Sequence, residues 1–171
     1  MVWFWYFLFY SFAGFLLEVA YARLTGGRPD RKCLLVLPLC PVYGLGACAV
    51  LLLPGWVRDN PLPLFLLGGG LASWAEYLAA LFYEEALGVS FWDYSGMPGN
   101  VRGRICLPFS MIWGALALAL VFVVHPVVAP LAQAIPIPVT ASAMAALGSD
   151  ILISCALMRK TGGRDCLKWY A

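Results

Sequence analysis

The sequence predicts an all-α protein, a polytopic transmembrane helical bundle of about five spans. Of its 171 residues, 63% are hydrophobic and only 12% are charged, and the mean hydropathy is +0.84. A soluble domain carries roughly 25% charged residues. Long apolar runs also recur along the whole chain, and a water-soluble core of this size could not bury them all.

Five apolar runs are long enough to cross a hydrocarbon core of about 30 Å, which takes roughly 20 helical residues. They cover residues 2–24, 34–57, 63–87, 105–125 and 138–158. We treat residues 1–171 as a single transmembrane domain with a cytosolic loop at 88–104. The first run has no basic segment before it and no small-residue cleavage site after it, so we expect a retained first span.

Prolines and glycines modify two of these elements. Pro38 and Pro41 make the start of the second span irregular, and Pro54 with Gly55 ends it. The segment 126–137 is apolar and proline-rich but too short to cross, so we expect it to lie in the membrane interface.

Lys and Arg predict the orientation, because short loops rich in these residues stay in the cytosol. All of the 11 Lys and Arg residues except Arg58 fall on one side of the predicted bundle. They are Arg23, Arg28, Arg31, Lys32, Arg102, Arg104, Arg159, Lys160, Arg164 and Lys168. The predicted topology therefore places the N-terminus outside and the C-terminus inside, in the cell (cytoplasmic) membrane.

Four carboxylates fall within or near the ends of predicted spans, where a charge is costly and is commonly functional. Glu76 and Glu84 share a helical stripe with Ser73 in the third span, and Glu76 lies near mid-bilayer. Glu18 lies on a polar face of the first span and Asp150 on one of the fifth. We expect them to line a polar cavity open to the cytosol.

The loop after the third span contains more functional groups than a simple turn needs. Asp93, Ser95 and Asn100 offer oxygen ligands, and Arg104 offers a planar donor suited to phosphate or carboxylate. Other candidates near the cavity are Trp92 and Tyr94 in this loop, with Ser110 and Trp113 in the fourth span.

Several segments together resemble a known family. They are YSFAGFLLEVAY (10–21), LPLCPVYGLGA (37–47), EYLAALFYEEALGVSFWDYSGMPGN (76–100) and GRICLPFSMIWG (103–114). In this order they resemble the signature blocks of the CmpB-type family, which is classed with ABC-transporter permeases. The resemblance covers roughly residues 4 to 130, and the tail with Asp150 matches by hydropathy alone.

The resemblance implies a bundle of five or six spans that acts as a transporter subunit. It adds Tyr77 to the candidate residues, and it marks Cys40, Pro41, Tyr43 and Gly44 as further signature positions. The chain has no Walker A sequence, so any ATP hydrolysis is expected from a separate ATPase subunit. Five helices enclose little space, so we also expect a homo-oligomer.

Three functions stay open from the sequence. The first is a transport or permeation subunit that binds or passes a small or cationic substrate through the carboxylate-lined cavity. The second is a membrane-embedded enzyme for a lipid or isoprenoid phosphate, with Arg104 holding the phosphate. The third is a structural assembly subunit whose buried carboxylates only join helices.

The sequence gives no evidence for several other functions. It has no recognisable catalytic or ATPase motif, so the question of enzymatic activity stays open, as do cofactors. The six cysteines lack metal-ligand spacing and are expected as free thiols, so we expect no metal site. The net charge of +2 follows from topology, and no basic face indicates nucleic-acid binding.

Overall fold

The structure is a computed structural model that describes residues 1–26, 34–163 and 167. Of the basic residues used to predict the orientation, Arg28, Arg31, Lys32, Arg164 and Lys168 lie outside these ranges. The described helices, numbered in chain order, are α1 Val2–Leu24, α2 Pro41–Leu51, α3 Gly55–Arg58, α4 Pro61–Leu87, α5 Leu107–Gln133 and α6 Ile137–Thr161.

The predicted fold class is confirmed, because the described secondary structure is helical apart from one isolated bridge between Val101 and Ile105. Four of the described helices, α1, α4, α5 and α6, are long and apolar enough to cross a membrane. With the shorter α2 they agree with a bundle of about five spans. The direction in which the bundle crosses the membrane stays a prediction.

The second predicted span, 34–57, contains the short helix α2 and the start of α3 rather than one continuous helix. The helix α2 has 11 residues and begins at Pro41, where a missing N–H is tolerated in the first turn. Residues 34–40 before it are bent and irregular. Irregular backbone at membrane depth is stable only when protein covers it. The side chains of Leu34, Leu35, Leu39 and Cys40 are accordingly buried.

The fourth predicted span is longer than expected. Helix α5 does not end at residue 125 but continues to Gln133, through part of the segment 126–137 that was predicted to lie in the interface. A π-helical turn, Leu120–Val124, comes immediately before His125 and Pro126. Since a wider turn is a common way to accommodate a proline inside a helix, Pro126 need not end α5.

Small residues set the distance between neighbouring helices. Gly14 of α1 faces the Tyr43 ring, and Gly44 of α2 faces the Ser11 hydroxyl, so these helices approach closely. Gly69 of α4 lies against Gly114 of α5 in the same way. Most of the buried apolar residues that the structure describes form two clusters, one around Tyr10 and Leu64 and the other around Leu35 and Met158.

Gly69→Ala is expected to destabilise the bundle, whereas Gly70→Ala one position later is not. A Cβ at Gly69 would lie 2.9 Å from backbone atoms of Gly114, but one at Gly70 would meet nothing within 4 Å. Overpacking of this kind costs about 1–3 kcal/mol. Thermal unfolding of the purified variants should therefore show a lower Tm for Gly69→Ala alone. Equal Tm values would show that the α4–α5 contact has room for a methyl group.

Candidate functional site

The side chain of Glu76 is the most buried carboxylate near the centre of the bundle, with 5% of the residue exposed. The indole Nε1 of Trp113, from α5, donates to Glu76 Oε2 at 2.9 Å. The hydroxyl of Tyr94, from the loop that follows α4, donates to Glu76 Oε1 at 3.1 Å. Both donors are neutral side chains. A carboxylate has about four acceptor positions, so these two bonds leave capacity for a further ligand.

Glu18 lies on the other side of the same site. The hydroxyl of Tyr43, from α2, donates to Glu18 Oε1 at 2.7 Å. The Tyr43 ring packs against Trp113 with a centroid distance of 4.9 Å. The two carboxylates are therefore connected through one aromatic pair, and each has a neutral donor.

These groups line a cavity of about 410 Å³, which we call the carboxylate cavity. Six of the candidate residues from the sequence line it: Glu18, Glu76, Trp92, Asp93, Tyr94 and Trp113. The other lining residues are Leu17, Tyr21, Cys40, Val42, Tyr43, Met97, Phe109, Ile112 and Leu116. Among the described residues of this lining there is no Lys, Arg or His.

The loop 88–106 forms one wall of the carboxylate cavity and is held by backbone contacts. The N–H of Tyr94 donates to the carbonyl of Gly103 at 2.7 Å, and Trp92 Nε1 donates to the carbonyl of Arg104 at 2.8 Å. Gly103 has a φ of 71°, and a Cβ there would lie 2.6 Å from Asp93 Oδ1. Only glycine fits this position without strain.

The surroundings of Tyr94 and Asp93 in this wall shift the pKa values of both residues. Burial, followed by the nearby Glu76, raises the pKa of Tyr94 far above its ordinary value, so its hydroxyl keeps its proton and donates. Hydrogen bonds from the hydroxyl and the backbone N–H of Ser95 lower the pKa of Asp93. Asp93 therefore stays ionised near neutral pH at the exposed edge of the cavity.

Arg104 belongs to a second cluster that does not line the cavity. Its guanidinium donates to Glu84 Oε2 from Nε at 2.8 Å and from Nη2 at 2.6 Å, and from Nη1 to the Tyr77 hydroxyl at 3.1 Å. It also lies 5.3 Å from the Tyr77 ring centroid. The pKa of Arg104 is raised mainly by its bonds to Glu84. These contacts fasten the loop to α4.

The remaining candidates lie outside the cavity lining. Ser95 and Asn100 form the turn of the loop, where the Asn100 side chain donates to the carbonyls of Ser95 and Met97, both at 3.0 Å. Ser110 accepts a hydrogen bond from Ser73 at 2.9 Å, which joins α5 to α4. These side chains support the cavity walls.

Asp150 differs from the prediction that it lines the cavity. Its Oδ1 accepts from the backbone N–H of Val36 at 3.0 Å, and its Oδ2 accepts from that of Leu37 at 2.8 Å. The Ser154 hydroxyl donates to Oδ1 at 2.9 Å. Asp150 therefore holds the irregular segment 34–40, because two N–H groups there lack helical partners.

Sequence reasoning placed Tyr43 among the family's signature positions but not among the cavity residues. The sequence signal for Tyr43 was its position in the block LPLCPVYG. Because α2 begins at Pro41, the Tyr43 side chain lies against α1 at the cavity. Helical periodicity in the sequence does not predict this contact. Phe109, which stacks on Tyr94 at 4.7 Å between ring centroids, gave no signal in the sequence.

The geometry does not indicate a metal centre. Among residues 1–26, 34–163 and 167, no group of three or more His, Cys, Asp and Glu side chains could hold a metal ion. Glu18 and Glu76 are instead surrounded by aromatic rings.

The apolar helices and the buried polar cluster define a multi-pass membrane protein whose natural surroundings are a lipid bilayer. Comparison with family models identifies it further. The model described as "Putative ABC-transporter type IV" matches residues 5–157, so the chain belongs to this CmpB-type family of ABC-transporter components. No curated protein and no solved structure matches the chain.

Asp150→Ala is expected to lower the stability of the protein by about 2 kcal/mol, because it removes the carboxylate that accepts from the backbone N–H groups of Val36 and Leu37. The exposed Asp59 provides a matched control, since Asp59→Ala removes a carboxylate from solvent. Thermal unfolding in detergent should show a large loss of Tm for Asp150→Ala only. An equal Tm in both variants would show that residues 34–40 do not need this carboxylate.

Proposed function

We propose that the protein is a permease component that binds a cation in the carboxylate cavity. The observation that supports this most directly is a contrast between carboxylates. Glu84 has a cationic partner, Arg104, at 2.6 Å. Glu18 and Glu76 are held by Tyr43, Tyr94 and Trp113, which are neutral donors. The cavity therefore retains negative charge whenever these carboxylates are ionised.

The aromatic walls support the same proposal. The faces of Tyr and Trp rings attract cations, most strongly where water is excluded. Tyr43, Trp92, Tyr94 and Trp113 all line the cavity that contains the two carboxylates. Carboxylates surrounded by aromatic rings suit a small organic ammonium ion or a partly dehydrated inorganic cation better than an anion.

We further propose that the cavity opens to the cytosol, in the cell membrane. Five of the six described basic residues lie in or beside the loops at one end of the bundle: Arg23, Arg102, Arg104, Arg159 and Lys160, with Arg58 as the exception. Arg159 donates to the carbonyl of Ala86 at 3.0 Å, so the ends of α6 and α4 are adjacent there. The positive-inside rule makes this the cytosolic end.

We propose two protein partners, of which the family supports only the first. ABC transporters couple transport to ATP hydrolysis, and this chain has no Walker A sequence, so a separate ATPase subunit would supply that step. A homo-oligomer would give the small bundle enough surface to complete a path across the membrane.

The alternative of an enzyme acting on a lipid or isoprenoid phosphate has less support from the geometry. That function needs a free cationic side chain for the phosphate, and Arg104 was the candidate. Its guanidinium contacts Glu84 and Tyr77 instead, and it does not line the cavity.

Glu76→Gln is expected to weaken cation binding strongly, since the amide removes the negative charge but keeps the size and an acceptor oxygen. Binding of radiolabelled tetramethylammonium to the protein in nanodiscs measures this directly. The expected loss of affinity is at least tenfold, because a charge partner in a low dielectric contributes more than about 1.4 kcal/mol.

Glu85→Gln is the matched control, because Glu85 is also an acidic residue of α4 but is exposed. It should bind tetramethylammonium as the parent protein does. If the parent protein binds none of tetramethylammonium, methylammonium, Na⁺ and K⁺, the proposed function is wrong. If Glu76→Gln lowers Tm and leaves binding unchanged, Glu76 only joins helices, as a structural subunit would require.

Cysteine labelling tests the orientation. Gly96→Cys lies in the exposed loop 88–106, and Asn60→Cys lies in the exposed turn before α4. A membrane-impermeant maleimide should label Asn60→Cys in intact cells and Gly96→Cys only after the membrane is opened. The parent protein, treated in parallel, gives the background from native cysteines. The reverse pattern would place the cavity mouth outside.

A further inference from the structure

An apolar groove lies next to the carboxylate cavity and continues away from it between α1 and α5. Its volume is about 110 Å³. The cavity and the groove share four wall residues, Leu17, Tyr43, Trp113 and Leu116. Beyond this shared wall, the groove is lined by small and aliphatic residues such as Ala13, Ala117 and Leu120.

The groove follows from how α1 and α5 meet. At one end the two helices are joined by a hydrogen bond of 2.7 Å between the Tyr10 hydroxyl and His125 Nδ1. Near the cavity the rings of Tyr21 and Phe109 lie at a centroid distance of 6.4 Å. Of the residues that line the groove, Leu17, Ala119 and Val124 are exposed. The space between the helices is therefore open sideways, toward lipid.

Trp113 connects the two compartments chemically. Its Nε1 donates to Glu76 in the cavity, while a Cβ placed on Gly46, which lines the groove, would lie 3.8 Å from its Cζ3. One side of the indole is thus polar and the other is apolar. A ligand lying along it would have a cationic group beside Glu76 and a hydrocarbon portion in the groove.

We propose that the substrate is a single-chain amphiphilic amine that enters from the bilayer between α1 and α5. This proposal rests on the proposed function and names its substrate class. The groove runs beside α1 from Leu17 to Tyr10, which is about 10 Å at the rise of an α-helix. A chain of moderate length fits this distance. The lining of the cavity has no Lys or Arg among the described residues, so an anionic headgroup has no partner there.

The test is competition against radiolabelled tetramethylammonium in nanodiscs by hexyl-, octyl- and dodecyltrimethylammonium. Burial of each methylene is expected to tighten binding about fourfold until the groove is filled, after which the affinity levels off. Octyl sulfate should not compete. Because every protein is measured in the same nanodisc, partition of the amphiphile into lipid is equal for all of them.

Ala119→Phe places a ring in the groove, and Ala115→Phe places the same ring on an exposed part of α5 that does not line it. The Ala119→Phe variant should bind tetramethylammonium as the parent does, but its affinity for the alkyltrimethylammonium compounds should no longer rise with chain length. Ala115→Phe should keep that gain. Ala13→Phe enters the groove from α1, with Ala20→Phe as its control, and gives the same test if Ala119→Phe does not fold.

The outcomes separate this inference from the proposed function. If tetramethylammonium binds through Glu76 and chain length has no effect, the cavity takes small cations and the inference fails alone. The inference also fails if both groove variants keep the full gain, or if octyl sulfate competes as well as the ammonium compound. If only methylammonium, Na⁺ or K⁺ binds, the inference fails alone. If the parent protein binds none of the four cations, or if cation binding is the same in Glu76→Gln, the proposed function fails as well.

Discussion

The carboxylate of Glu76 is the constraint around which the centre of the protein is arranged. A buried carboxylate without partners costs several kcal/mol, so its surroundings must supply donors. Trp113 supplies one from α5 and Tyr94 supplies the other from the loop. These two bonds connect α4, α5 and the loop at one point. The position of the loop therefore depends on Glu76 as well as on its own backbone contacts. The carboxylate cavity opens beside this loop, at the ends of the helices.

Glu76 and Asp150 show how one sequence pattern serves two purposes. Each is an acidic residue on a polar stripe of an apolar helix, and each is buried. Asp150 accepts from two backbone N–H groups of the irregular segment before α2, where lipid could offer no replacement. Glu76 accepts from side chains on the wall of a cavity. Spacing and depth predict that both are buried and paired. They do not predict which partner each one finds.

Much of the fold was predictable because the hydropathy of a segment depends only on the residues of that segment. The runs at 2–24, 63–87 and 138–158 correspond closely to α1, α4 and α6. The differences arise where proline effects depend on surroundings: α2 is shortened by its irregular approach, whereas α5 continues past Pro126 after a π-helical turn. The site was less predictable. Arg104 pairs with Glu84 twenty positions earlier, and Tyr43 with Glu18 across two helices. Such contacts depend on tertiary packing, which helical periodicity does not contain.

The hydrogen-bond partners of the carboxylates explain why the cavity and the loop differ in charge. At the loop, the cation of Arg104 balances the charge of Glu84, and the fork of the guanidinium fixes a geometry, as a structural joint requires. In the cavity, hydroxyl and indole donors fix the geometry of Glu18 and Glu76 without adding positive charge. A neutral donor orients a carboxylate and leaves its field largely intact, so the proposed cation would meet carboxylates already held in place. Preorganised charge of this kind reduces the cost of binding, because the protein need not rearrange when the ligand arrives. An arginine at either position would satisfy the carboxylate equally well and would remove the reason for a cation to bind.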